Sequence, residues 1–260
     1  MRRTADLFDP ESCKRVLYKC QLKDSTKNLI ATLLGGWFEY NGITWKAPKY
    51  SREHVIPYIP TEIELDQLIA GLGKKSATFC QLLKDTGARS GEIQQLKWSD
   101  IDFGQRNVNI KAEKNSNSRI LPLCAKTIDM LCNLKRNKER IFGNLDGLRS
   151  TCFTQRRKIA EKIVNPNLLK IHFHTFRHWK ATTEQHLTKD PWHVKELLGH
   201  KHISSTETYI HIEKMVYRTR TSDKFIVKVA DTLEDAIELV KVGFDFHAEV
   251  EGHKLFRKRE

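Results

Sequence analysis

Apolar positions along this chain recur with two different periods, and the change of period marks out its organisation. The spacing predicts helices at about 9–20 and 25–40, the second carrying Leu29, Ile30, Leu33, Leu34, Trp37 and Phe38 on one helical-period face. Asn41-Gly42 closes it as a turn. Three prolines between Lys46 and Pro60 read as a linker. A capping box, Thr61 to Glu64, opens helices at 61–71, 75–86 and 90–97. Val108, Ile110 and Ala112 then alternate with polar residues, and Ile120, Pro122 and Leu123 follow the polar turn 114–118, which predicts a strand pair. Helices resume at about 124–136, 149–163, 175–187 and 191–198. Asp190-Pro191 starts the last of these and Gly199 stops it. Beyond residue 222 the pattern predicts a β-α-β unit: Phe225–Val229, a helix over Thr232–Val240 with Leu233, Ile237 and Val240 inward, and a strand over Glu249–Arg257. The fold class expected is therefore mainly α with a small β-hairpin or sheet. The segments are 1–45 (a short helical arm), 46–60 (linker), 61–221 (the main domain) and 222–260 (an extension).

With 260 residues the chain is long enough for a real core. It has no apolar run long enough for a spanning helix and no signal-peptide pattern, so no membrane partner and a cytoplasmic location are expected. Six cysteines form no CxxC pair, and the expectation is that they are inert, in a reducing compartment. A formal charge of +13 points to a polyanion, nucleic acid first.

Three clusters carry the chemistry: Thr86-Gly87-Ala88-Arg89-Ser90-Gly91-Glu92, His174-Thr175-Phe176-Arg177-His178-Trp179, and Leu197-Leu198-Gly199-His200 with Tyr209 nine residues on. Their order and spacing resemble the tyrosine recombinase (phage integrase) family over about residues 60–215. The family pattern is an arginine at a helix start, a lysine on a β-hairpin, His-x-x-Arg, Leu-Gly-His and a tyrosine. The resemblance implies a catalytic set of Arg89, Lys114, His174, Arg177, His200 and Tyr209, and a recombinase-type catalytic domain preceded by a helical arm. It also implies DNA cleavage and rejoining through a 3′-phosphotyrosyl intermediate, without metal, ATP or other cofactor.

The residue types suit that chemistry. Guanidinium is always charged and presents a planar fork to two phosphate oxygens, so Arg89 and Arg177 fit the charge that builds on the non-bridging oxygens. The i, i+3 spacing puts His174 and Arg177 on one helix face. A turn lysine such as Lys114 reaches a leaving oxygen, and the resemblance makes it the acid; Lys111 is its rival. Two arginines near Tyr209 would favour its phenolate, and a histidine would take its proton. His174 and His200 read as partners of phosphate and nucleophile. Glu92 reads as a support for Arg89 or the lysine, and Gly87 and Gly91 as turn glycines. His178, His186 and His193 read as helix-surface or packing residues. Eight histidines crowd residues 172–211, but no HExxH or completing carboxylate pattern makes a metal site.

The expected partner is double-stranded DNA bearing paired recombination sites, gripped by a homo-oligomer, a tetramer in the preferred reading, associated with the nucleoid. Integration or excision of a mobile element is the preferred role, and Xer-like chromosome dimer resolution is its sibling. A DNA-binding regulator without strand transfer and a type IB topoisomerase-like relaxing enzyme are the other readings. The arm of about 50 residues is short for the family, as a reduced arm or a chain that starts further upstream would be. The 222–260 extension lies outside the family pattern and resembles tails of archaeal integrase-like proteins.

Overall fold

A computed structural model describes residues 5–51, 56–113, 116–221, 225–250 and 253–259. The chain divides into two compact units, residues 1–56 and 57–260. The first holds α1 (Pro10–Lys19) and α2 (Asp24–Tyr40). Asp9 caps α1 by accepting from the Glu11 and Ser12 amides, and Gly42 turns the chain after α2 with φ of 66°. Its small core is Cys13, Leu17, Ala31 and Phe38. Trp45 completes it, stacking on Phe38 at 4.7 Å and donating to the Ala31 carbonyl. Asn28 ties the Tyr50 backbone in both directions, so the first part of the expected linker is anchored to α2. Within this unit the expected apolar face of α2 is only partly inward: Leu29, Leu33 and Trp37 are exposed.

The second unit begins with α3 (Glu62–Gly71) and α4 (Lys74–Thr86), followed by a short α5 (Ser90–Gln94). The Thr61/Glu64 capping box is present as expected. Strands β1 (Ile101–Asp102), β2 (Asn107–Ile110) and β3 (Arg119–Pro122) form an antiparallel sheet in sequence order. The expected pair is β2 and β3, but its inward residues differ: Val108 and Ile110 are buried, Ala112 is exposed, and in β3 Leu121 rather than Ile120 faces in. After the sheet come α6 (Ala125–Cys132), α7 (Leu145–Lys162), α8 (Phe173–Thr188), α9 (Pro191–Leu198) and α10 (Ser204–Thr221). The sequence pattern had offered no element for α10, the helix that carries Tyr209.

Helix α8 is the organising element, packed against α4, α9 and α10. The main core runs through Leu65, Phe79, Leu83, Ile93, Val108, Phe142, Leu168 and Phe176. A second cluster, Ala181, Val194, Leu198, Tyr209 and Ile212, joins α8, α9 and α10. Burying a side chain of this size contributes about 1.5–3 kcal/mol, so this second cluster fixes α10, and Tyr209 on it, by packing.

The extension is β4 (Phe225–Ala230), α11 (Leu233–Lys241), β5 (Asp245–Val250) and β6 (His253–Arg259), with sheet order β4-β6-β5 and all pairs antiparallel. It is thus β-α-β-β, one strand more than the pattern predicted. The inward residues of α11 also differ: Leu233, Ile237 and Val240 are exposed, while Leu239 packs with Ala230, Phe244 and Phe256.

Candidate active site

Arg89 sits at the N-cap of α5, one turn past Gly87, whose left-handed φ of 61° closes α4. Its backbone N–H donates to Glu92 Oε2 at 2.8 Å, and its Nη1 lies 3.6 Å from Glu92 Oε1. That Nη1 is buried without a hydrogen-bond partner. Gly91 is helical rather than a turn glycine; what it supplies is room, because a Cβ there would collide with the Glu113 carboxyl group.

Arg177 is 1% exposed. Its Nη1 donates to the Gly87 carbonyl and its Nη2 to the Leu198 carbonyl, both at 2.9 Å. Nη2 also lies 2.8 Å from His200 Nε2. A guanidinium only donates, so His200 Nε2 accepts. The His200 proton therefore resides on Nδ1, which is 2.9 Å from Thr206 Oγ1. Burial first, then the charges of Arg177, Arg89 and Arg119, push the His200 imidazolium down to about 4, so the ring is neutral at pH 7. Arg177 itself is lowered to about 10, chiefly by burial, and remains charged at pH 7.

Tyr209 is 5% exposed on α10. Its ring lies 6.4 Å from that of His200, nearly parallel to it, and 5.8 Å from that of His178. Burial raises its phenol, and the charge and hydrogen bond of Arg177, with the charge of Arg89, only partly offset that rise. The two arginines do favour the phenolate, as expected, but burial outweighs them. His174 is exposed, and loss of hydration plus the Arg177 and Arg89 charges hold its imidazole below the usual value. It meets His178 edge-on at 4.5 Å.

His178 belongs to this cluster, contrary to its expected surface or packing role. It stands one turn beyond His174, faces Tyr209, and carries a buried Nδ1 without a partner. Burial first, then His174 and Arg177, lower it to about 4. The signal was the i, i+4 spacing from His174. His186 and His193 do lie apart: His186 stacks on Tyr217 and bonds Glu213, and His193 bonds Glu184.

Glu92 holds more than Arg89. Its fully buried carboxylate receives Arg119 Nη2 at 2.9 Å and Nη1 at 3.3 Å, and Ser116 Oγ at 2.7 Å. Burial alone would raise its pKa; Arg119, the Arg89 amide and Ser116 together override that and hold it below the usual carboxylate range. Arg119 reaches further, donating through Nε to the Leu197 carbonyl and through Nη1 to Asn117 O. The Asn117 amide donates to the Gly199 carbonyl, and Ser116 forms a β-bridge with His200. Arg119 and Ser116, which sequence reasoning passed over, thereby clamp the β2–β3 turn to the Leu-Gly-His loop. Lys114 lies on this turn but outside the described residues. Its rival Lys111 is tied to Asp100 at 2.8 Å.

Among the described residues no cluster of three or more His, Cys, Asp or Glu side chains is placed to hold a metal ion, and no helix is long and apolar enough to cross a membrane. The arrangement brings Arg89, His174, Arg177, His200 and Tyr209 together with Glu92: two guanidinium cations, neutral imidazoles and a buried phenol.

The profile of the Phage integrase family matches residues 61–215, the stretch that contains every one of these residues. The chain belongs to this family, that of the tyrosine recombinases. It is 29% identical over 213 residues to a tyrosine recombinase of Thermosipho africanus, covering 73% of this chain and 72% of the relative. It is 31% identical to tyrosine recombinase XerC of Bacillus pumilus, covering 61% of this chain and 58% of the relative. Among solved structures, XerH recombinase bound to a palindromic difH substrate in a post-cleavage complex matches with a TM-score of 0.61 at 20% identity, over 85% and 73% of the two chains. The Tn1549 transposon integrase in complex with circular intermediate DNA matches at 0.62 and 15% identity, over 79% and 82%. These likenesses confirm the fold class, mainly helical with small antiparallel sheets.

Proposed function

We propose that this chain is a site-specific DNA recombinase that cuts and rejoins double-stranded DNA through Tyr209. The observation that carries the reading is the convergence of Arg177 on Tyr209 and His200, with Arg89 alongside, in one family-matched unit. In the reaction, Tyr209 Oη attacks the scissile phosphorus. The 5′ oxygen leaves, and a 3′-phosphotyrosyl bond forms in place of the broken one. Arg89 and Arg177 hold the non-bridging oxygens, where a preorganised donor is worth roughly 10²–10³ in rate. Lys114 supplies the proton to the departing oxygen, and the neutral imidazole of His174 receives the phenol's proton, while His200, whose Nε2 accepts from Arg177 and whose Nδ1 carries its own proton, holds the Arg177 guanidinium in place. His178 is a positioning neighbour of that pair. Because the phosphotyrosyl bond conserves the energy of the broken one, the reverse attack by a 5′ hydroxyl rejoins the strands without ATP.

The substrate is paired sites on duplex DNA, bound by a homotetramer, and the preferred role is integration or excision of a mobile element. The similarity to XerC and XerD proteins supports a second role, resolution of chromosome dimers. Covalent capture tests the reading. The protein is incubated with nicked fragments of its source genome and denatured, and the attached DNA is sequenced. Wild-type protein yields an adduct and Tyr209→Phe none, with DNA binding retained. Equal capture by both would move the nucleophile to another residue. The captured junctions also separate the two roles, by mapping to a mobile-element end or to a single chromosomal site. The scheme invokes no metal, so a chelator leaves capture unchanged.

A further inference from the structure

A cavity of about 570 Å³ lies between α4, α7 and the start of α8, with Cys80, Ser90, Cys152, Arg156, His172 and His174 among its walls. Its electrostatics are unusual. Arg156 is 6% exposed and makes no carboxylate ion pair among the described residues. One nitrogen, Nη1, donates to the Ile171 carbonyl and lies 3.2 Å from His172 Nδ1; Nε has no partner. A buried cation without an anion is costly. The anionisable group within its reach is the thiol of Cys152, one turn back on α7. Facing them on α4, again one turn apart, are Ser76 and Cys80, both buried, and Cys80 shares the wall of the cavity with Cys152. The Cys80 hydrogen bond first, then Ser76 and the Arg156 charge, outweigh burial and bring Cys152 down to about 7. Cys80 is pushed the other way and keeps its proton.

We propose that Cys152 is a modification site, whose sulfur attacks small organic disulfides that enter the cavity and whose adduct Cys80 resolves into a Cys80–Cys152 disulfide. In the first step the Cys152 thiolate forms a bond to one sulfur of R–S–S–R, whose S–S bond breaks to release RS⁻. In the second, the Cys80 proton passes to that RS⁻ and the Cys80 sulfur attacks Cys152 Sγ, expelling the second RS⁻, which takes a proton from water. Two protein thiols are oxidised and one external disulfide is reduced to two thiols. The thiol chemistry itself uses none of the residues assigned to strand transfer, and His174 is shared only as a wall of the cavity.

The probe is 2,2′-dithiodipyridine, small and apolar, followed by thiopyridone release and peptide mapping of the full chain. At pH 6 a thiol lowered to about 7 holds some thirtyfold more thiolate than one at ~8.5, and its weaker nucleophilicity takes back about fivefold. Cys152 is therefore expected to react roughly sixfold faster than the exposed Cys124 and Cys132. Each Cys152 consumed should release two thiopyridones and leave a Cys80–Cys152 disulfide with no pyridyl adduct. Cys80→Ala should stop at one thiopyridone and a stable adduct on Cys152. Mapping of the wild-type chain reads site and product without any variant. Fastest labelling at Cys124 or Cys132, or a pyridyl adduct that persists on wild-type Cys152, overturns the proposal.

Discussion

The Glu92–Arg119 pair offers the sharpest test of how the site is held. Both side chains are almost wholly buried, 0% and 7% exposed, with Nη2 and Oε2 2.9 Å apart. Arg119→Met removes the cation and leaves the carboxylate with only Ser116 and the Arg89 amide as donors. Breaking one half of a buried pair costs about 3–5 kcal/mol, because the remaining charge loses its hydrogen-bonded partner and keeps only the more distant Arg89 guanidinium, 3.6 Å away. A chain of this size loses about 2–4 °C of melting temperature per kcal/mol, so a drop on the order of 6–20 °C follows. Adding Glu92→Gln should recover at least half of it, since the amide still accepts from Arg89 N–H while carrying no charge. The pH response changes sign. In the wild type the Glu92 pKa is lowered, so the pair's stabilisation is complete above the unfolded value of ~4.3 and is lost as pH falls through the folded value. In Arg119→Met burial gains the upper hand and the folded value rises. The variant's stability then declines as pH climbs past ~4.3, and its deficit shrinks between pH 8 and pH 5. Urea unfolding of the three proteins at both pH values reads this directly. A deficit below about 1 kcal/mol, or one that does not move with pH, would falsify the account.

Three further outcomes are expected. The rate of covalent attachment should climb with pH through 9, because the Tyr209 phenol is raised, and the His200 and His178 imidazoles, near 4, should add no inflection between 6 and 7; a kinetic titration near 6.5 would mean that a histidine other than these two is rate-controlling. Gly199→Ala should destabilise by about 1–2 kcal/mol from the left-handed φ of 68° alone, and its Cβ, 2.7 Å from Arg119 Nη1, should also lower covalent capture; a neutral effect on both melting and capture would contradict the clamp. DNA binding should weaken steeply with salt, log Kd rising linearly with log salt concentration; a flat response would remove backbone phosphates as the main contact.

What could be read from sequence follows from how each signal is encoded. Arg89, His174, Arg177, His200 and Tyr209 sit in local motifs whose spacing survives without coordinates. The capping box at Thr61 and the stop at Gly199 are equally local. Arg119 was invisible because a charged residue at a strand start normally reads as solvent-facing; only the fold reveals that Glu92 waits for it across the sheet. The face of β3 was unreadable because Ile120-Leu121-Pro122-Leu123 is a continuous apolar run with no alternation to set its phase. In α11 apolar residues at 233, 236, 237, 239 and 240 form one stripe about 160° wide, and the residue that packs inward, Leu239, lies at its edge rather than its centre, which periodicity alone does not reveal. The net rise of the Tyr209 phenol was also beyond reach, since spacing names the nearby arginines but not the burial that outweighs them.

The donor count at Arg177 explains how a buried arginine serves as a working one. A guanidinium has five N–H donors. The Gly87 and Leu198 carbonyls and His200 Nε2 occupy three of them, which fixes the plane of the group against α4 and the Leu-Gly-His loop. Two remain, and Tyr209 Oη is already within reach of the same group. A phosphate entering beside Arg89, whose Nη1 is unpartnered, would meet the last donor with the nucleophile on the adjacent one. Phosphate and phenol oxygen are then aligned by one rigid cation rather than by two flexible side chains. The consequence is a specific non-equivalence. Arg177→Lys should abolish attachment even though charge is kept, because an ammonium has only three donors and those three partners would consume them, whereas Arg89→Lys should leave measurable activity.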